Sequence, residues 1–426
     1  MLLSFSVTNY KSFADTQELS LVAGSGSRRK KEISFATGNA LAPNALRSAC
    51  IFGPNRVGKT TLIEAIEFAS QYIINSSKDS QEGELIDVES FKFSPEFMKQ
   101  PTEFEFSFIH KETFYQYGFA VDQEKVWAEW LFQKPNESRT RMRTIFQREF
   151  DSETQEYHWD LSKTHLKGEK ELWRKTTRDN ALFLSTAVQL KSDDLKLPYQ
   201  WFRDYLHVID SPERLLPGFT AKQCIDNGWK NKVLNLMQSV DIPVKDIHIE
   251  QKEINFSDID LTPLSATAKA SLEKELSGKK VADIQTIYEA ADGSLVPFTL
   301  HEESNGTRVV FSLAGPWFDV LENGYTLFVD ELHNSLHPLL LKYLVNLFHD
   351  PKINTQNAQL IFTSHETSIM SKNFMHKDQV WLVEKNENQK SKLIPLSSFN
   401  TREVTAFQRA YLDGRFGAVP KMPSIA

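Results

Sequence analysis

The sequence predicts an α/β fold: a mixed, mainly parallel central sheet, an antiparallel β subdomain and a helical insertion. Short apolar runs at Ser48–Phe52, Tyr325–Val329 and Gln359–Thr363 alternate with helical patterns, as the strands of a parallel sheet do. Residues 103–132 instead alternate with a period of two over three successive runs, which marks antiparallel strands. Residues from about 195 to 296 mix helical periodicity with lysine-rich surface, as at Thr267–Lys274, and carry no chemical motif. The expected organisation is a first lobe over 1–194, a helical insertion over 195–296 and a second lobe over 297–426.

Taken in order, Leu3, Phe5 and Val7 alternate with Ser4, Ser6 and Thr8, a half-buried strand whose expected partner is Leu19–Val22. Gly24–Ser27 and then Arg28, Arg29, Lys30 and Lys31 read as a basic loop, either solvated or in contact with a phosphate backbone. Ser48–Phe52 leads into Gly53-Pro54-Asn55-Arg56-Val57-Gly58-Lys59-Thr60-Thr61, and Leu62–Tyr72 reads as a helix. The loop matches G-x-x-x-x-G-K-[ST], whose backbone N–H groups and helix N-terminus surround the phosphates of a nucleotide. Gly53 and Gly58 permit the backbone angles, Lys59 reaches the β- and γ-phosphates, and Thr60 offers its hydroxyl to Mg²⁺. Beyond the alternating strands, Arg139, Arg141, Arg143 and Arg148 read as surface residues first and ligand contacts second. The apolar run Asn180–Ala187, followed by Gln189, is expected to return the chain to the central sheet.

The last third is dense with signals. Ser304-Asn305-Gly306 opens a helical pattern to about Leu321, with Val310, Leu313, Ala314, Trp317 and Leu321 on one face and Asn323-Gly324 as its stop. The strand Tyr325–Val329 then ends in Asp330 and Glu331. Burying two adjacent acids is too unfavourable unless they serve a cation or a proton transfer, so they belong at the strand's exposed end. Asn334–Pro338 starts a helix, and Gln359–Thr363 is a core strand with His365 at its tip. Ligands of such sheets bind beyond the carboxyl ends of the strands, where Lys59, Asp330, Glu331 and His365 all fall.

Composition narrows the class. A chain of 426 residues suggests two or three domains, and a net charge of −7 argues against coating nucleic acid or membrane by bulk attraction. Cys50 and Cys224 have no metal-ligand spacing, which fits a reducing cytoplasm. The first residues lack a signal-peptide core and no later run reaches transmembrane length, so a soluble cytoplasmic protein without membrane contact is expected.

Phosphate loop, Ser-x-Gly helix start, strand ending in Asp-Glu and strand with a terminal His come in the order of the ABC-type ATPases, and the chain resembles their SMC, RecF and OLD branch. The likeness covers roughly 1–75 and 298–370. It implies ATP and Mg²⁺ as cofactors: Asp330 for the Mg²⁺ shell, Glu331 as the base that orients the attacking water, His365 as the switch histidine, and Gln189 as the Q-loop metal contact. It also implies that Ser304 and Gly306 cap the γ-phosphate held by another subunit, giving a homodimer or a higher even-numbered oligomer. Read without the resemblance, Ser304 is a helix cap. Arg56 stands where many relatives have glycine or alanine, and Asn305 and Thr307 depart from the transporter signature.

The segment Asp330–Pro338 and the tail Ala410–Pro420 make the whole chain similar to the bacterial AAA-type ATPases of anti-phage and abortive-infection systems, including those beside RloB-like proteins. About 60 residues follow His365, too few for the nuclease domain of OLD proteins. The implied effector, a nuclease or an RloB-like protein, is therefore a separate chain. Two rival functions from the same motifs are a RecF/SMC-like DNA-maintenance ATPase, tested by neutralising Arg28–Lys31, and a scaffold that acts through bound ATP alone.

Overall fold

The computed structural model describes residues 1–24, 31–79, 81–136, 141–253, 280–400 and 406–420. Arg28, Arg29, Lys30, Arg139 and the stretch Thr267–Lys274 lie outside the described residues, while Lys31 is described and exposed. The chain forms two compact units. One comprises Met1–Ser211, Val320–His333 and Leu341–Ala426; the other comprises Pro212–Asp319 and Asn334–Leu340.

The first unit holds two large sheets and a two-stranded one made of β3 (Ser34–Ala36) and β4 (Asn44–Leu46). In the large antiparallel one, β1 (Leu2–Thr8) lies between β2 (Gln17–Ser20) and β6 (Thr102–His110). The sheet continues through β7 (Thr113–Val121), β8 (Val126–Pro135), β9 (Arg143–Asp151) and β10 (Glu156–Leu161), seven strands in all. Alternation drives this: Phe104, Phe106 and Phe108 of β6 are fully buried, and Phe5 of β1 pairs with Phe106 in register. The N-terminal strand thus joins the antiparallel sheet.

The central sheet has the order β11-β15-β16-β5-β17-β18, with β11 (Leu206–Ile209), β15 (Thr326–Val329), β16 (Gln359–Thr363), β5 (Ser48–Phe52), β17 (Val380–Lys385) and β18 (Ser391–Pro395). All neighbours pair in parallel except β17 and β18, which form a hairpin. Strands β5, β15 and β16 are buried throughout, as strands covered on both faces must be. Helix α1 (Lys59–Asn75) places Leu62, Ile66, Ala69 and Ile73 on one stripe, and this stripe shares a core cluster with both sheets. Packing of this kind joins the antiparallel sheet to the nucleotide-loop sheet as one body.

Two expectations in this unit are corrected. The run Asn180–Gln189 does not return as a strand; Phe183–Gln189 is a helix, numbered α3 after α2 (Lys170–Thr176). Arg148 is not a surface residue. It is fully buried beside Glu129, its partner across β8 and β9, with Nε to Oε2 at 3.0 Å. The same carboxylate accepts from the backbone N–H groups of Phe183 (2.7 Å) and Leu184 (2.9 Å) and from the Tyr117 hydroxyl (2.9 Å). Glu129 therefore nucleates α3 from the sheet, and Arg148 compensates its charge. Arg148→Met leaves that carboxylate buried without its cation, and should lower stability by about 3 kcal/mol in a urea titration; a surface arginine would move it by less than about 0.5 kcal/mol.

The segment 195–296 is only partly helical. It supplies α4 (Lys196–Gln200) and the edge strand β11 to the first unit. In the second unit it forms α5 (Gly218–Asp226), α6 (Lys230–Ser239) and an antiparallel sheet of β12 (Asp246–Glu253), β13 (Lys280–Glu289) and β14 (Leu295–Thr299). Ile247 and Ile249 at alternate positions of β12 carry the strand signal. Helix α7 (Asn305–Asn323) buries Val310, Leu313, Ala314, Trp317 and Leu321. Gly324, at φ 69°, ends it in the left-handed conformation of a helix stop. Helix α8 (Pro338–His349) leads to β16, and α9 (Phe407–Leu412) is the last helix among the described residues.

Candidate functional site

The site forms at the carboxyl ends of β5, β15 and β16, three neighbouring parallel strands. Residues 53–58 turn from β5 into α1. At Gly53 a Cβ would lie 2.4 Å from the carbonyl oxygen of Val383, and Gly58, at φ 111°, is the N-cap of α1. Both positions need glycine, one for a close backbone approach and one for its dihedral. Arg56 also has a positive φ, 64°, although it carries a Cβ. Left-handed backbone strains such a residue by about 1–2 kcal/mol, more than the roughly 0.5–1 kcal/mol of chain entropy that glycine loses on folding. Arg56→Gly should therefore be neutral to stabilising, by up to about 1 kcal/mol in denaturant melts.

A cleft of about 330 Å³ opens over this loop, lined by Ser12, Asn55, Arg56, Gly58, Lys59, Thr60, Thr61, Glu331 and Lys385. Pro54 is half-buried and Val57 is packed beneath the loop, in the core. Lys59 is buried, and its ammonium donates to the carbonyls of Gly53 (3.0 Å) and Pro54 (2.9 Å). Burial pulls its pKa below the usual lysine value, while Asp330 and Glu331 oppose the shift.

Asp330 directly follows β15 and, contrary to the exposed strand end expected for the two acids, is buried; both of its carboxylate oxygens have hydroxyl partners. Thr60 Oγ1 donates to Oδ2 at 2.7 Å, and Thr363 Oγ1 donates to Oδ1. A carboxylate and a hydroxyl in contact at a helix N-terminus are hard oxygen donors suited to Mg²⁺, which takes few protein ligands and completes its shell with phosphate and water. Among the described residues no group of three or more His, Cys, Asp or Glu could hold a metal. Glu331 follows at φ 49°, its N–H donating to Thr363 Oγ1 at 2.7 Å.

His365 lies two residues beyond β16, half-buried, and its ring packs edge-on against His333 with centroids 5.4 Å apart. Burial lowers the pKa of both rings; Lys59 and His333 add to the shift at His365, so each is held toward neutral imidazole. Lys59, Thr60, Asp330, Glu331 and His365 are thus gathered at one end of the sheet. Gln189 is exposed at the last residue of α3 and joins none of these hydrogen bonds.

In the second unit, Ser304 caps α7: its Oγ accepts from the Thr307 N–H at 3.1 Å. Asn305 Nδ2 donates to Ser335 Oγ at 2.5 Å, and a Cβ at Gly306 would meet the Ser335 carbonyl oxygen at 3.3 Å. Ser304 and Asn305 are exposed at this helix start.

Sequence reasoning missed Ser12, His333, Thr363, Lys385 and Ser391. Ser391 accompanies the loop from β18, donating to the Val57 carbonyl at 2.6 Å. Only His333 and Thr363 carried a local signal, each standing two residues from an assigned position.

A sequence profile described as "AAA domain, putative AbiEii toxin, Type IV TA system" matches residues 48–371, from the start of β5 to just past His365. No curated protein matches the sequence. Among solved structures, the chain is similar to the SMC head domain from Thermotoga maritima, at 13% identity and a TM-score of 0.39, over 92% of this chain and 98% of that one. It is also similar to the recombination mediator protein RecF-ATPrS of the RecFOR pathway, at 12% identity and a TM-score of 0.29, again over 92% and 98%.

Proposed function

The chain belongs to the AAA-domain family described by the AbiEii toxin of type IV toxin–antitoxin systems, and from that premise we propose that it is an ATPase regulating a separately encoded effector in anti-phage defence. In this reading it binds ATP with Mg²⁺, hydrolyses it, and dimerises through composite nucleotide sites.

The observation that carries the reading is the 2.7 Å hydrogen bond from Thr60 to Asp330. It joins the hydroxyl after the phosphate-loop lysine to the acid at the end of β15, residues 270 positions apart. In phosphoryl transfer that pair is the expected Mg²⁺ anchor, with Thr60 and Asp330 supplying the protein's oxygen donors and the ion neutralising charge on the phosphates. Lys59 adds a cation to the cleft floor. Glu331, in the cleft wall, is a carboxylate able to take a proton from an attacking water. Neutral His365 can offer an N–H to a phosphate oxygen without carrying a charge of its own.

The dimer rests on the resemblance, which assigns the phosphate loop and the Ser304 helix start of each site to different copies. Exposed Ser304 at the start of a 19-residue helix offers a hydroxyl and a positive dipole end. Expression of the chain with its flanking genes in a phage-challenged host tests the defence role. Plaque formation should fall by orders of magnitude and recover with Glu331→Gln. Protection that survives this change would argue for a scaffold acting through bound ATP.

A further inference from the structure

We propose that Thr363 is a positioning residue that fixes Asp330 and Glu331 relative to each other, and so sets both Mg²⁺ affinity and turnover. The proposal rests on the ATPase reading of the site. Thr363 is the last residue of β16 and is fully buried. Its hydroxyl accepts from the Glu331 N–H at 2.7 Å and donates to Asp330 Oδ1. A hydroxyl has one hydrogen. Accepting from an amide leaves that hydrogen for the carboxylate, which fixes the direction of both bonds.

Two consequences follow. Asp330 is held at both oxygens, by Thr363 from the sheet and by Thr60 from α1, so its carboxylate cannot turn away from the Thr60 hydroxyl. Glu331 sits at φ 49°, a conformation that a residue with a Cβ holds only when its surroundings impose it. Thr363 is part of those surroundings: its hydroxyl takes the Glu331 N–H and its carbonyl takes the Leu332 N–H at 3.2 Å. The strained step starts the Glu331 side chain in the cleft wall beside Lys59 and Thr60. One buried threonine therefore ties the oxygen donor for the metal to the backbone of the base.

The test compares wild type, Thr363→Val, Thr363→Ala and Thr363→Ser in two readouts. The first is affinity for a fluorescent ATP analogue, in EDTA and across a Mg²⁺ titration; the second is phosphate release. Loss of a group that orients a metal ligand costs roughly 10–100-fold. Thr363→Val should bind the analogue in EDTA like wild type, need about 10-fold more Mg²⁺ for half-maximal tightening, and release phosphate about 10–100-fold more slowly. Thr363→Ser, which keeps the hydroxyl, should stay within about 3-fold of wild type in both readouts, since it removes only a methyl group. Should Val not fold, Ala against Ser gives the same comparison. A Val or Ala variant equal to wild type in Mg²⁺ requirement, or a Ser variant as impaired as Val, overturns the proposal. Failure of the ATPase reading looks different: wild type itself would release no phosphate, while the Mg²⁺ titration of binding would still report on Thr363.

Discussion

Glu331→Gln is expected to lower phosphate release from ATP by roughly 10²–10⁴-fold, the range for a lost general base, and to leave nucleotide affinity within a few-fold of wild type. The amide has the size of the carboxylate and can still hold a water, but it cannot accept a proton. Nothing that anchors nucleotide changes: Lys59 keeps its bonds to the Gly53 and Pro54 carbonyls, and the Thr60–Asp330 pair is untouched. The backbone of residue 331 is also preserved, because its N–H bond to Thr363 does not involve the side chain. Release and binding should be measured on one preparation. A loss in release below about 10-fold would mean that another group activates the water, and the exposed side of the cleft would have to supply it.

The second large effect concerns the composite site. Lys59→Ala and Ser304→Asp should each abolish turnover, and an equimolar mixture with free subunit exchange should recover about a quarter of wild-type activity. Half of randomly mixed dimers are hybrids with one intact site in two, hence the quarter. The structure dictates the substitution at residue 304. Ser304 caps α7 through the Thr307 N–H, so a change that removes the cap would weaken the helix by about 1 kcal/mol and blur the result. Aspartate keeps the cap and suits the helix dipole, while its charge repels a phosphate. Active Ser304→Asp would leave the serine as a helix cap only. No recovery in the mixture, once exchange is shown, would mean that both sites must act together or that the site is built within one chain.

What could be read from residues alone was decided by whether the signal was local. The phosphate loop carries its own geometry, since Gly53 and Gly58 sit where a Cβ would clash or strain. Asp330 and Glu331 announced a strand end, but not the burial of Asp330 there, which the Thr60 and Thr363 hydroxyls make tolerable. The alternation of β1 and β6 was equally plain. Elements set by distant partners were hidden. Phe183–Gln189 is an apolar run short enough for a strand, and it is helical because Glu129, more than 50 positions earlier, accepts its first N–H groups. Arg148 looked like a surface arginine because its partner lies on the neighbouring strand. Strand β11 has four residues, too few to distinguish an edge strand from the end of a helix. Thr363 reads as one polar residue among several near His365; its role exists only once β16 lies beside β15.

The affinity of wild type and Lys59→Ala for ATP in Mg²⁺, measured by calorimetry, tests the central claim most directly. The account predicts saturable binding by wild type, about one nucleotide per chain, and a loss of at least about 100-fold in the variant, as befits removal of the buried phosphate-loop lysine. Equal affinities would place the nucleotide away from this loop and contradict the site, and with it the ATPase.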